Sequence, residues 1–368
     1  MRLTIPHMGP LHVGYARVLE SYGVQLIVPP LPNQAALQLG AQHSPECACL
    51  PFKQNLGNMI QALEQGATDI LMPGGFGPCR FGYYSVIQEM ILRKLGFSFR
   101  MARADDPDSL RDMVATIKAI SGIQSKREAY RLFFFILEKL AAIDWAQKKY
   151  LAVKPVEQNP GDTDRVRQAA LQEIDQCLTY PRLLRAWLRN RRAFTRLPRL
   201  RRPLLQIGLV GEIFMLLDPF SNMHIEEKLA RMGVRLSKSV WLSDWLNDRF
   251  RFRPFRRNQF QLAWKRAQGY MDFPAGGESI KSVGKGLQYV REGYDGIIHI
   301  MPFTCMPELV AQTVLSRISR EYQIPVMTLI YDEHTSPTGL QTRLEAFVDL
   351  LHHRRYRTVP SGPGGPRF

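Results

Sequence analysis

Over the first hundred residues, short β-rich runs alternate with stretches whose apolar positions recur at helical spacing. Strands are predicted over 3–6, 24–28, 69–72 and 97–102, and helices over 15–22, 34–39, 58–65 and 84–95. Gly23, Gly66 and Gly96 fall where a helix closes on a residue without a Cβ. Repeated strand–helix alternation predicts a parallel sheet covered on both faces.

From Asp106 to about Arg202 the spacing is helical throughout. Its most apolar stretch, Leu132-Phe133-Phe134-Phe135-Ile136-Leu137, reads as a buried helix core before it reads as a partner surface. Pro155, Pro160 and Gly161 mark a loop inside this region. A second α/β pattern starts near Leu204, with strands over 206–210, 234–240, 296–300 and 326–331 and helices over 225–232, 279–292, 307–321 and 340–351. The fold class predicted is therefore α/β: two parallel-sheet lobes, 1–105 and 204–355, with a helical insertion at 106–203 between them. Residues 356–368 are rich in Gly and Pro and are expected to form a disordered tail.

Composition adds limits to this outline. The chain has 368 residues, 45% of them hydrophobic, enough for more than one core. Nothing approaches the ~20 apolar residues of a spanning helix, and the opening residues lack a signal-peptide run, so no membrane is expected and the cytoplasm is the expected compartment. The net charge is +16, much of it in two tracts, Arg182 to Arg202 and Arg249 to Arg257. A solvated basic face is favoured over nucleic-acid binding, because no nucleic-acid motif accompanies the tracts.

Five cysteines, an odd number spread over a long chain, point to reduced thiols or metal ligands instead of a disulfide framework. Three of them lie in loops rich in Gly, Pro and aromatic residues: Cys49-Leu50-Pro51-Phe52-Lys53, Gly74-Gly75-Phe76-Gly77-Pro78-Cys79-Arg80-Phe81 and Met301-Pro302-Phe303-Thr304-Cys305-Met306-Pro307-Glu308. Ligands of open α/β sheets bind outside the carboxyl ends of the strands. Cys79 and Cys305 each follow a predicted strand, and Cys49 is read as a third strand-edge position. Two facing lobes would then bring the three thiols to an interdomain cleft.

Glycines in the second loop let backbone N–H groups approach the sulfides of a cluster, and helix N-termini after Cys79 and Cys305 favour thiolates. Three cysteine ligands would leave one iron of such a cluster open. The residues alone also admit a zinc site completed by His7 or His299, a nucleophilic Cys79, or inert core thiols. Cys47 reads as a packing residue and Cys177 as a structural one. Gly276-Gly277-Glu278-Ser279 has the form of an anion-binding loop or of a plain helix start. In Asp332-Glu333-His334, Glu333 and His334 are candidate catalytic proton carriers, while Asp332 could cap the next turn.

Taken together, Ser44-Pro45-Glu46, Cys49-Leu50-Pro51-Phe52-Lys53 with Gly57-Asn58, Gly77-Pro78-Cys79-Arg80-Phe81-Gly82-Tyr83-Tyr84, Pro302-Phe303-Thr304-Cys305-Met306-Pro307-Glu308 and Asp332-Glu333-His334 resemble the 2-hydroxyacyl-CoA dehydratase component superfamily. The nearest likeness is to its short branch, labelled CoA protein activase or acyl-CoA dehydratase activase-related protein. The resemblance implies a [4Fe–4S] cluster held between the lobes by Cys49, Cys79 and Cys305, with Gly75, Gly77 and Arg80 as cofactor-binding neighbours. It implies a separate ATP-hydrolysing activase as electron donor, and an acyl-CoA or a small molecule as substrate. In that family one electron forms a ketyl radical on the acyl-CoA thioester before water leaves; members with a double cubane cluster reduce small molecules. This chain carries no phosphate-binding Walker loop, so it would accept the electron and leave ATP hydrolysis to the partner. The activity implied is that of a dehydratase-like lyase or an ATP-coupled reductase component in a homo- or heterodimer. The alternative is a non-catalytic electron-transfer or cluster-handling protein. Cys47 stands where an aromatic residue is usual in the family, and Glu278 where a histidine is common.

Overall fold

Two four-stranded sheets, each parallel throughout, carry the two lobes. The structure is a computed structural model and describes residues 1–74, 78–104, 110–253 and 255–358. The first sheet contains β1 (Arg2–Thr4), β2 (Gln25–Leu26), β3 (Asp69–Pro73) and β4 (Arg100–Ala104) in the order β2-β1-β3-β4. The second contains β5 (Leu205–Gly211), β6 (Val234–Lys238), β7 (Gly296–Pro302) and β8 (Val326–Tyr331) in the order β6-β5-β7-β8. In both, the chain steps outward on one side of the first strand and then crosses to the other. This places a topological switch point, the usual ligand crevice of an open α/β sheet, between β1 and β3 and between β5 and β7.

The second sheet is the better buried. Every residue of β7 is buried, as expected for an unbroken apolar run in a parallel sheet with both faces covered. The glycines placed at helix ends, Gly23, Gly66 and Gly96, all adopt positive φ, and so does Gly233.

The insertion is helical as expected: Leu110–Ser121, Lys126–Val153, Asp162–Asp175 and Tyr180–Arg196. The aromatic run lies in its core, with Leu132, Phe133, Phe135 and Leu137 buried against Ile117, Tyr15 and Leu19. This core also takes in Leu242 and Phe250 of the second lobe, so the insertion braces both lobes. The Asp144 carboxylate accepts the Ser243 N–H at 2.6 Å, and Glu138 pairs with Arg253. The second arginine tract is thus partly structural, with Arg256 also 2.5 Å from Asp244 and Arg249 stacked over Trp245. Along the first tract, Arg182, Arg185, Arg191, Arg192 and Arg196 are exposed on the outer side of their helix.

Several helices differ from their predicted bounds. The helix foreseen over 58–65 runs from Leu50 to Glu64 and begins with Pro51 in its first turn, where the missing N–H costs nothing. Helices Ile213–Leu217, Leu242–Phe250 and Gln259–Ala267 were not foreseen. The last helix, Pro337–Thr358, extends past 351, and the rest of the expected tail lies outside the described residues. No helix among the described residues is long and apolar enough to cross a membrane.

Candidate metal centre

Each of the three loop cysteines is the residue immediately before a helical segment, and each has extended backbone angles. Cys49 precedes Leu50–Glu64. Cys79 precedes the 3-10 turn Arg80–Tyr83, which runs directly into helix Tyr84–Lys94. Cys305 precedes Met306–Tyr322. Free N–H groups at these helix starts face the same end as the sulfurs and favour negative charge there.

Cys79 and Cys305 arrive as expected, beyond the carboxyl ends of β3 and β7. Cys49 arrives by another route: the element before it is helix Gln34–His43, so its loop joins two helices and is no strand edge. Gly40 and Gly57 make that possible. A Cβ on Gly40 would lie 1.7 Å from the Lys53 carbonyl oxygen, and one on Gly57 would lie 1.8 Å from that of Ala36. The two helices therefore cross backbone against backbone, which fixes where the second one starts.

Three neighbours of the cysteines tie the loops together across the lobes. The Arg80 guanidinium donates to the Cys47 carbonyl at 2.7 Å, to the Thr304 carbonyl, and to Thr304 Oγ1 at 2.9 Å. Thr304 Oγ1 in turn donates to the Cys47 carbonyl at 3.1 Å. Arg80 thus acts as a fastener between the loop of Cys47 in the first lobe and that of Thr304 in the second. Gly75 and Gly77, the other two expected neighbours, lie outside the described residues.

The thiols share one electrostatic space. Burial pushes the Cys79 thiol up to about 11 and raises those of Cys49 and Cys305. Charge on Cys49 acts on both others, and the Glu212 carboxylate acts on all three. Opposing the burial, the Tyr84 hydroxyl pairs with Cys49 Sγ, and Arg80 favours the thiolates of Cys49 and Cys79. Cys49, Cys79 and Glu212 are largely enclosed by protein yet keep some surface that water reaches, while Cys305 is buried.

Glu212 was missed in the sequence, where the only signal was a Gly-Glu pair at the end of a strand. Gly211 has φ +144°, and a Cβ on it would lie 1.9 Å from the Ile300 carbonyl oxygen. The chain therefore turns over β7, and Glu212 N–H donates to that same oxygen at 3.2 Å. Burial, with lesser repulsion from Glu308 and Glu278, raises the Glu212 carboxyl to about 7 against two backbone N–H bonds that lower it.

A carboxylate layer lies behind. Glu308 is fully buried; its Oε2 pairs with His299 Nε2 at 2.8 Å and accepts from Ser282 at 2.9 Å, while its Oε1 has no partner. The Gly276-Gly277 turn packs on Pro78, Cys79 and Pro307. Its next residue, the buried Glu278, pairs with Lys281 at 3.2 Å, so this loop presents a carboxylate where an anion would have to bind.

Glu333 reaches the site's edge from the second lobe and pairs with the buried Lys53 at 2.6 Å, one helical turn beyond Cys49. His334 is exposed, 4.0 Å from Glu333. Asp332 caps the turn, accepting from His334 N–H and Thr335 Oγ1. Cys47 is exposed, contrary to its reading as a packing residue, because its carbonyl and not its thiol is what the loop uses. Cys177 is buried in the insertion, as expected. His7 is buried just beyond the carboxyl end of β1, bonded to the Pro29 carbonyl and edge-on to His12.

Among the described residues no three or more His, Cys, Asp or Glu side chains are spaced to hold a single metal ion. The thiolates of a cluster bind separate irons and stand farther apart than the ligands of one ion, so that spacing bears on zinc and not on a cluster. The donor set fits a cluster: three thiols, one acting on the other two, a carboxylate that acts on all three, an orphaned Glu308 oxygen behind them, and Arg80 as the cation acting on two of the thiols. A cavity of about 630 Å³ among Tyr22, Arg131, Phe135 and Tyr180 lies elsewhere and holds none of these groups. No family model matches the chain, and no curated protein matches it.

Proposed function

We propose that this chain is an iron–sulfur protein of the 2-hydroxyacyl-CoA dehydratase component type, holding a [4Fe–4S] cluster through Cys49, Cys79 and Cys305. The observation that carries the reading is the convergence of three helix-start cysteines from two lobes, whose loops are bonded to one another through Arg80 and Thr304. When bound, such a cluster supplies single electrons at low potential and, with three cysteine ligands, an iron with an exchangeable position.

The chain's own groups prepare that site. Buried thiols hold their protons, so cluster uptake is coupled to proton release, eased by the helix starts and Arg80. Tyr84 orients the Cys49 sulfur. Burial works to raise the Glu333 carboxyl, but the bond from Lys53 outweighs it and holds it below the usual range. Glu333 is therefore a weak base fixed by Lys53, and of the two it is the exposed His334 that is placed to exchange protons with solvent. Electrons would come from an ATP-dependent partner, and the substrate would be an acyl-CoA or another small molecule.

An electron relay is the competing reading, and a coordination test separates them. Anaerobic spectra of the reduced protein are expected to shift on adding an acyl-CoA; spectra unmoved by acyl-CoA and by small ligands would favour the relay.

A further inference from the structure

Among the described residues Glu212 is the one carboxylate that acts on all three thiols, and the cysteine motifs do not account for it. It stands at the β5–β7 switch point, carried there by a turn that only glycine at 211 permits. Its carboxylate is held rigidly, Oε1 accepting from Phe214 N–H at 3.1 Å and Oε2 from Met215 N–H at 3.0 Å. An ionised carboxylate offers about four lone-pair sites, so these two bonds leave others directed elsewhere. Among the described residues it forms no ion pair, although it is enclosed beside three thiols and two further carboxylates. An enclosed carboxylate without a partner is costly, and an electron-pair bond to a Lewis-acidic iron would offset that cost.

We propose that Glu212 is the fourth protein ligand of the centre, closing the iron position that the three thiolates leave open until an incoming ligand displaces it. The inference rests on the iron–sulfur reading above. In the step, a carboxylate oxygen donates an electron pair to iron, any proton it carried leaves to solvent, and nothing is oxidised or reduced. Displacement reverses it, freeing the carboxylate beside the bound ligand.

The test uses anaerobically purified full-length protein with and without Glu212→Asp and Glu212→Ala. Aspartate is a strong helix cap but one methylene shorter, so Glu212→Asp separates capping from ligation. All three proteins are expected to keep their iron, and Glu212→Asp its melting temperature. Cyanide, followed by paramagnetic resonance of the reduced cluster, should bind both variants at least about tenfold more tightly than wild type, because no carboxylate has to leave. Equal cyanide affinity in all three would overturn the role of Glu212 and leave the cluster reading standing. Wild type without iron would overturn both.

Discussion

His7 and His12 show how burial alone sets the behaviour of single residues here. Burial lowers both imidazoles, His12 to about 4, while an unfolded histidine titrates near its ordinary 6.5. The unfolded chain therefore binds more protons than the folded one between pH 4 and 6.5, and stability rises with pH across that window. Lowering the pH from 6.5 toward 4 should cost up to about 1.4 kcal/mol per unit through His12, with His7 acting in the same direction. Denaturant titrations of wild type and His12→Gln at several pH values should show a shallower acid loss in the variant. At this scale the cysteines were legible, because Gly and Pro flank them. Glu212 and the Arg80 fastener were not: their roles depend on partners, Ile300 and Thr304, 88 and 224 positions away in the chain.

Among the elements, helix Leu50–Glu64 decides where Cys49 sits. Thirteen of its fifteen residues are buried, so it has no polar stripe, and the periodicity that reveals surface helices is absent from it. That is why only its end was legible. Its crossing with helix Gln34–His43 depends on Gly40 and Gly57, so the Gly57-Asn58 motif serves packing. Gly57→Val places side-chain carbon into the Ala36 backbone and is expected to destabilise by about 3 kcal/mol or more, read from urea unfolding. Of the strands after 200, β5, β7 and β8 were legible because they are six or seven residues long and mostly apolar, and β6 because its apolar and polar residues alternate. The first lobe's β1 and β2 were located less sharply, being only three and two residues long.

The whole molecule works as two similar lobes held in register by the helical insertion and by bonds that cross the cleft. Lys53 and Glu333 form such a bond, and Lys53 has only 6% of its side chain exposed. Glu333→Gln strands that ammonium and is expected to cost about 2 kcal/mol, whereas Lys53→Met with Glu333→Leu should recover most of the loss. Thermal unfolding of the two variants checks this; equal melting temperatures would show that the pair does not hold the lobes. The two-lobe plan was legible from the alternation of strands and helices, but the brace was not. Its core is shared with Leu242 and Phe250, and no local pattern records sharing.

The central claim, that the three helix-start cysteines hold an iron–sulfur cluster, is tested most directly by iron and sulfide analysis of anaerobically purified protein. Wild type is expected to carry about four iron and four sulfide per chain, and Cys49→Ala, Cys79→Ala and Cys305→Ala each to lose most of both. Wild type free of iron, or full iron retained in all three variants, would contradict it.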